Sequence, residues 1–171
     1  MAPEFPRPTR LPLKATRLLL KATPSECAAL AQRFAILGID HFSAELQLVP
    51  QTDGSVRVEG QLRAEVTQAC VTTLEPVVQP MAVPLALRIL PEGDIPTDDD
   101  PDSPDEIESQ GGMVDLGEAC AEQLALALDP YPRLPEAEVP AEYRAPDEET
   151  VVEAPKERPN PFAALAQRKR G

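Results

Sequence analysis

Cys27, Cys70, Cys120 and the single histidine, His41, are the side chains best able to act as nucleophile, base or soft metal ligand. Catalysis needs such groups to converge, and their spacing gives no sign of it. A structural zinc site takes about four Cys or His ligands. Three scattered cysteines with no CxxC between them, and one histidine, do not supply that set. A Ser-His-Asp site would have to use His41, yet neither Ser25 nor Ser43 sits in a nucleophile elbow. No Gly-rich loop is present to cradle phosphates. Paired carboxylates abound only in Pro-bearing acidic stretches, where no burial would tune a pKa. The chain therefore reads as non-catalytic, without metal, cofactor or small-molecule substrate; hydrolysis through His41 is kept only as a minor reading.

Charge points to binding instead. The net charge is −13, but residues 1–90 carry 9 basic and 8 acidic side chains, whereas residues 91–171 carry 7 and 21. Acidity on that scale opposes loose phosphate binding and favours a basic protein partner, or simply a solvated tail. Contact with RNA would fall to the basic N-terminal segment or to Arg168–Arg170. No apolar run is long enough for a signal peptide or for the roughly 18 apolar residues of a membrane span, so a cytoplasmic, reducing compartment is expected. The 21 prolines imply extended linkers rather than more core.

The elements that would position any site follow from periodicity. Pro12 favours an edge strand near the N-terminus, with Lys14, Arg17 and Lys21 on its wet side. Thr23-Pro24-Ser25-Glu26 starts a helix, the stripe Cys27, Leu30, Phe34 and Leu37 continues it, and Gly38 offers a stop. The period then becomes two. Phe42, Ala44, Leu46 and Leu48, the Asp53-Gly54 turn, and Val56, Val58, Leu62, Ala64 and Val66 predict an antiparallel hairpin with one wet face. Met81–Leu90 predicts a further strand, at an edge or a bulge because of Pro84. The expected fold is α+β: three to four antiparallel strands from residues 9–90, covered on one face by helices 24–37 and 116–128. Whether the sheet curls toward a half-barrel is left open.

Residues 91–112, with nine acids and no base between Glu92 and Glu108, are expected to be a mobile insert within a domain of residues 1–133. An acidic linker, 134–157, and a short helix or docking peptide, 158–171, follow, with Phe162 and Leu165 on one side of that helix. Between insert and linker lies Val114–Arg133. Asp115 and Glu118 predict a reciprocal cap, and Leu116, Cys120, Leu124 and Leu128 form an apolar stripe. Asp129-Pro130-Tyr131-Pro132 ends it sharply.

Two stretches taken together, Gln68-Ala69-Cys70-Val71-Thr72-Thr73-Leu74-Glu75-Pro76-Val77 and Val114-Asp115-Leu116-Gly117-Glu118 through Asp129-Pro130-Tyr131-Pro132-Arg133, resemble the YceD family of large-ribosomal-RNA-subunit accumulation proteins. Asn160-Pro161-Phe162-Ala163-Ala164-Leu165 fits the same pattern, and the resemblance spans roughly residues 9–171. Many members resemble metal-binding proteins, with a CxxC at the first motif and cysteines after the last helix. Here Thr73 stands where the second cysteine would be and the exit supplies none, so the resemblance carries over no zinc site.

What the resemblance implies is a non-catalytic factor in ribosome biogenesis, needed for accumulation of large-subunit rRNA. Its partner would be a ribosomal protein or a large-subunit assembly intermediate. The Cys70, Thr73, Leu74, Glu75, Pro76 turn and the Asp129–Arg133 exit are candidate contact surfaces; turn and cap geometry alone is an equally good account of them. The alternative is an acidic module that shields a basic client outside rRNA metabolism.

Overall fold

In the computed structural model, which describes residues 3–96 and 103–137, the elements run β1 (Pro8–Arg10), β2 (Thr16–Lys21), α1 (Pro24–Arg33), β3 (Gly38–Pro50), β4 (Val56–Ala69), β5 (Pro76–Leu90), β6 (Asp105–Glu108), β7 (Met113–Asp115), α2 (Leu116–Leu126). All described residues belong to one unit, residues 1–137. The fold is α+β, as the periodicities require. The sheet is larger than expected: five strands in the order β2-β3-β4-β5-β6, antiparallel except for the parallel β5–β6 pair, beside a two-stranded β1–β7 sheet.

Both additions have physical causes. Pro12 splits the N-terminal segment, because it cannot donate to a ladder. Leu13 is left 99% exposed, and β1 turns away to pair Pro8 with Asp115 and Arg10 with Met113. The fifth strand comes from the acidic insert, which corrects the expectation that residues 91–112 are mobile throughout. Glu106 pairs with Arg88 at 2.9 Å, Ile107 packs on the core, and the buried Ser109 hydroxyl donates to the Leu90 carbonyl at 2.7 Å. Those contacts offset the ordering cost that the composition alone implied. Residues 97–102 lie outside the described residues.

The hairpin alternation holds as read. Phe42, Ala44, Leu46, Leu48, Val56, Val58, Leu62, Ala64 and Val66 are all buried, and Cys27, Leu30, Leu116, Cys120 and Leu124 join the same core from the two helices. Burial pushes the Cys120 thiol up to about 12 and raises the Cys27 thiol, so both behave as small apolar residues. His41 is exposed beside a register irregularity in β3.

Helix α1 begins with the expected capping box: Thr23 Oγ1 accepts from the Glu26 N–H, and the Glu26 carboxylate accepts from the Thr23 N–H at 2.7 Å. A side-chain hydrogen bond from Arg7 is the main cause that holds Glu26 down at about 2. The helix stops earlier than Gly38. Phe34 is its C-cap, and Ala35, at φ 54°, takes the left-handed position usually given to Gly. Ile36 N–H donates to Ala31 O at 3.0 Å and Ala35 N–H to Gln32 O at 3.2 Å, which completes a Schellman motif. Ala35→Gly removes the Cβ cost of that conformation and is expected to stabilise the fold by about 1 kcal/mol, read as a higher denaturation midpoint at unchanged m-value.

Candidate functional site

The two ends of α2 sort the candidate residues into a clamp and a surface. At its start, Asp115 Oδ1 accepts from the N–H groups of Gly117 (3.0 Å) and Glu118 (3.1 Å), and also from Arg7 N–H at 2.7 Å. One carboxylate thus caps the helix and fastens the N-terminal segment. Leu116 is fully buried. A Cβ on Gly117 would lie 1.9 Å from the Phe5 carbonyl oxygen, so only glycine lets that segment cross the helix.

Glu118 does not reach back to complete the expected reciprocal cap. It binds the Arg33 guanidinium at 2.6 and 2.9 Å, and Glu4 binds the same guanidinium, so the two helices are tied together. Asp115, Leu116, Gly117 and Glu118 therefore hold the fold together.

At the other end the chain leaves the helix one turn before Pro130. Ala127 is the C-cap, and the exit runs back against the Cys70–Pro76 turn. Val71 N–H donates to Pro132 O at 2.9 Å, and the Gln68 amide donates to Asp129 O at 3.0 Å. Asp129 Oδ1 accepts from Tyr131 N–H at 2.8 Å, an Asx turn that fixes the first bend of the exit. The turn itself closes through Leu74 N–H to Cys70 O and Cys70 N–H to Glu75 O, both 2.8 Å, with Leu74 at φ 62°. Two motifs about sixty residues apart in sequence thus meet as one knuckle.

Cys70 lies at its centre, fully buried. The Thr73 hydroxyl and the backbone N–H of Leu134 direct hydrogen bonds at the sulfur, and the N–H groups of Thr73 and Thr72 add to them; together they bring the thiol down to about 6 against the opposing effect of burial. Leu134 belongs to the exit, so the surroundings of this sulfur are set by both turn and exit. Thr73 supplies a hydroxyl where a metal knuckle would supply a second thiolate. Among the described residues no group of three or more His, Cys, Asp or Glu side chains is placed to hold a metal ion. The donor set at Cys70 does not fit zinc.

Around the knuckle, Glu75, Pro76, Pro130 and Arg133 are exposed, Leu74 and Tyr131 are 77% and 71% exposed, and Pro132 is buried. Beside it runs a groove of about 620 Å³ lined by Phe34, Ile36, Leu37, Gln68, Val71 and Leu126, among others. Leu37 corrects the expected stripe: α1 ends at Arg33, before the turn that would have carried Leu37 onto the core, and its side chain is left exposed, while Leu126 lies in the last turn of α2 off the buried stripe and is exposed as well. Gln68 also lines the groove, and its buried Oε1 has no hydrogen-bond partner among the described residues. Phe162 and Leu165 lie outside the described residues.

Both motifs of this knuckle fall within residues 58–169, which a family model described as "Large ribosomal RNA subunit accumulation protein YceD" matches. The chain belongs to the YceD family. The match begins inside β4, so β1, β2, α1 and all of β3 precede the part that the YceD model covers. No curated protein and no solved structure matches the chain. Among the described residues, no helix is long and apolar enough to cross a membrane.

Proposed function

We propose that this YceD-family protein is a non-catalytic factor for accumulation of large-subunit ribosomal RNA, acting in the cytoplasm by binding a ribosomal protein or an assembly intermediate at the knuckle. The observation that carries the reading is the groove beside the joined motifs. Exposed Leu37, Val71 and Leu126 line it together with Gln68 and Asp129. An exposed apolar rim of this kind is what a partner with apolar anchors would cover. Asp129 is the charged residue of the groove lining, which favours a basic partner.

The test is a Val71→Asp, Leu126→Asp double variant in a depletion strain. Both side chains are exposed, so the purified variant is expected to melt within about 2 °C of the parent. Mature large-subunit rRNA is expected to fall to the depleted level, with ribosomal proteins lost from pull-downs. Full restoration of the rRNA by the variant would rule the groove out. The strong acidity supports a second reading, a module shielding a basic client outside rRNA metabolism. A nuclease-resistant, non-ribosomal client in the same pull-downs would favour it.

A further inference from the structure

Eight of the ten lysines and arginines among the described residues fall into two groups, with Arg63 and Arg133 apart from both. Arg7, Arg33, Arg57 and Arg88 are committed to ion pairs with Glu26, Glu4 and Glu118, Glu59, and Asp53 and Glu106. Arg10, Lys14, Arg17 and Lys21 have no ion pair; all four are exposed and fall within twelve residues of β1, β2 and their connection. No acid occurs between Phe5 and Ser25. β2 is an edge strand, so its outer side is open among the described residues.

The sheet separates β2 from the acids of the insert, and the acids nearer the segment are engaged elsewhere: Glu26 holds Arg7, and Asp115, opposite Pro8, caps α2. β6, with Asp105, Glu106 and Glu108, is the opposite edge, four strand spacings or about 19 Å away. That exceeds the Debye length of about 8 Å at physiological salt, so those carboxylates do little to cancel the field at β2. On the wet face nearer by, Glu59 is tied to Arg57, and Glu45 lies across from Leu19. In the Lys21 row, register carries Ser43 and then Arg63, another cation without an ion pair. Charge on an edge strand also deters stray strand pairing, but Arg17 and Lys21 alone would achieve that.

We propose that the segment Arg10–Lys21 is a phosphate-binding strip through which this protein contacts the RNA backbone. RNA is favoured over an acidic protein because the chain belongs to a family named for ribosomal RNA accumulation; to that extent the inference rests on the proposed function. The sequence offers no Trp, and Phe5 is buried, so the strip has no aromatic for stacking bases and binds without sequence preference.

The experiment titrates the full-length protein into a fluorescent mixed-sequence RNA duplex at several salt concentrations. Four phosphate contacts give log K against log salt a slope of about −3 to −4. Arg17→Gln with Lys21→Gln is expected to shift that slope by about 2 toward zero, at unchanged melting temperature. Absence of binding, or a slope that the double variant leaves unchanged, overturns the proposal. So does tighter binding of a polyglutamate peptide than of the duplex, which would assign the strip to an acidic protein. The assay needs no cells: a duplex that binds while the depletion strain shows normal rRNA removes the proposed function and leaves the strip standing.

Discussion

Gly117→Ala is expected to destabilise this protein by about 3 kcal/mol, a fall in melting temperature of roughly 10 °C. The added methyl would sit 1.9 Å from the carbonyl oxygen of Phe5 and 3.0 Å from the backbone N of Arg7. Backbone cannot rotate aside as a flexible side chain can, so one of the two segments must move as a body. The helix cannot move freely, because Leu116 and Cys120 are fully buried on either side of the site. Several attachments hold the N-terminal segment, among them Phe5, fully buried against Phe42 at 5.2 Å between ring centroids, Arg7 N–H bound to Asp115, the Arg7–Glu26 and Glu4–Arg33 ion pairs, and the β1–β7 pairing. Relief therefore costs either the core contact or the helix cap. Thermal melting checks the size, and limited proteolysis checks the place: cleavage near residues 3–10 should accelerate first. A variant that melts within about 2 °C of the parent would mean that the crossing is not fixed.

Much of this was legible in the sequence, for reasons that differ by element. Strands β3 and β4 bury one face and wet the other, so period-two alternation from Phe42 to Val66 reads them directly. The cap at Thr23 is local chemistry and was equally plain. What escaped depends on distant partners. Asp105–Glu108 is a strand only because Arg88 and the Leu90 carbonyl lie alongside, and no pattern within an acidic run declares that. Glu118 matched a reciprocal cap three residues after Asp115, but Arg33 of the other helix competes for it and wins with two charge-assisted bonds. Ala35 in the left-handed position cannot be read from residue type, since Gly38 was the better local candidate for the stop.

The family motif also looked uniform in sequence and is not. Its first half, Asp115–Glu118, is spent on holding the N-terminal segment and the two helices. Its far end meets the Cys70 turn and leaves Leu74, Tyr131 and the groove leucines in solvent. Neither Thr73 nor Leu134 signals by type that it faces a thiol. Yet both lower the Cys70 thiol, an environment that depends on the fold and not on a metal-ligand spacing.

Gly60→Ala sets two opposed effects against each other. In a strand, replacing Gly by Ala restricts the unfolded chain and by itself stabilises by about 0.4–1 kcal/mol. Gly60 lies on the core-facing parity of β4, in register between Leu46 and Leu85, and its Cβ would come 2.0 Å from the Glu45 carbonyl oxygen and 3.0 Å from the Leu46 Cα. The obstacle is again backbone, in the middle of the longest ladders of the sheet, with no loop nearby to absorb a shift. The clash should win, with a net loss of about 3 kcal/mol and a melting temperature lower by roughly 10 °C. Gly38→Ala isolates the entropic part. It opens the neighbouring strand, and a Cβ there meets nothing within 4 Å, so that variant is expected to hold or slightly raise stability. If both variants stabilised, strands β3 and β4 would not approach each other at Gly60 closely enough for a Cβ to clash. If only Gly60→Ala unfolds, the glycine is there for the approach of two backbones and not for flexibility.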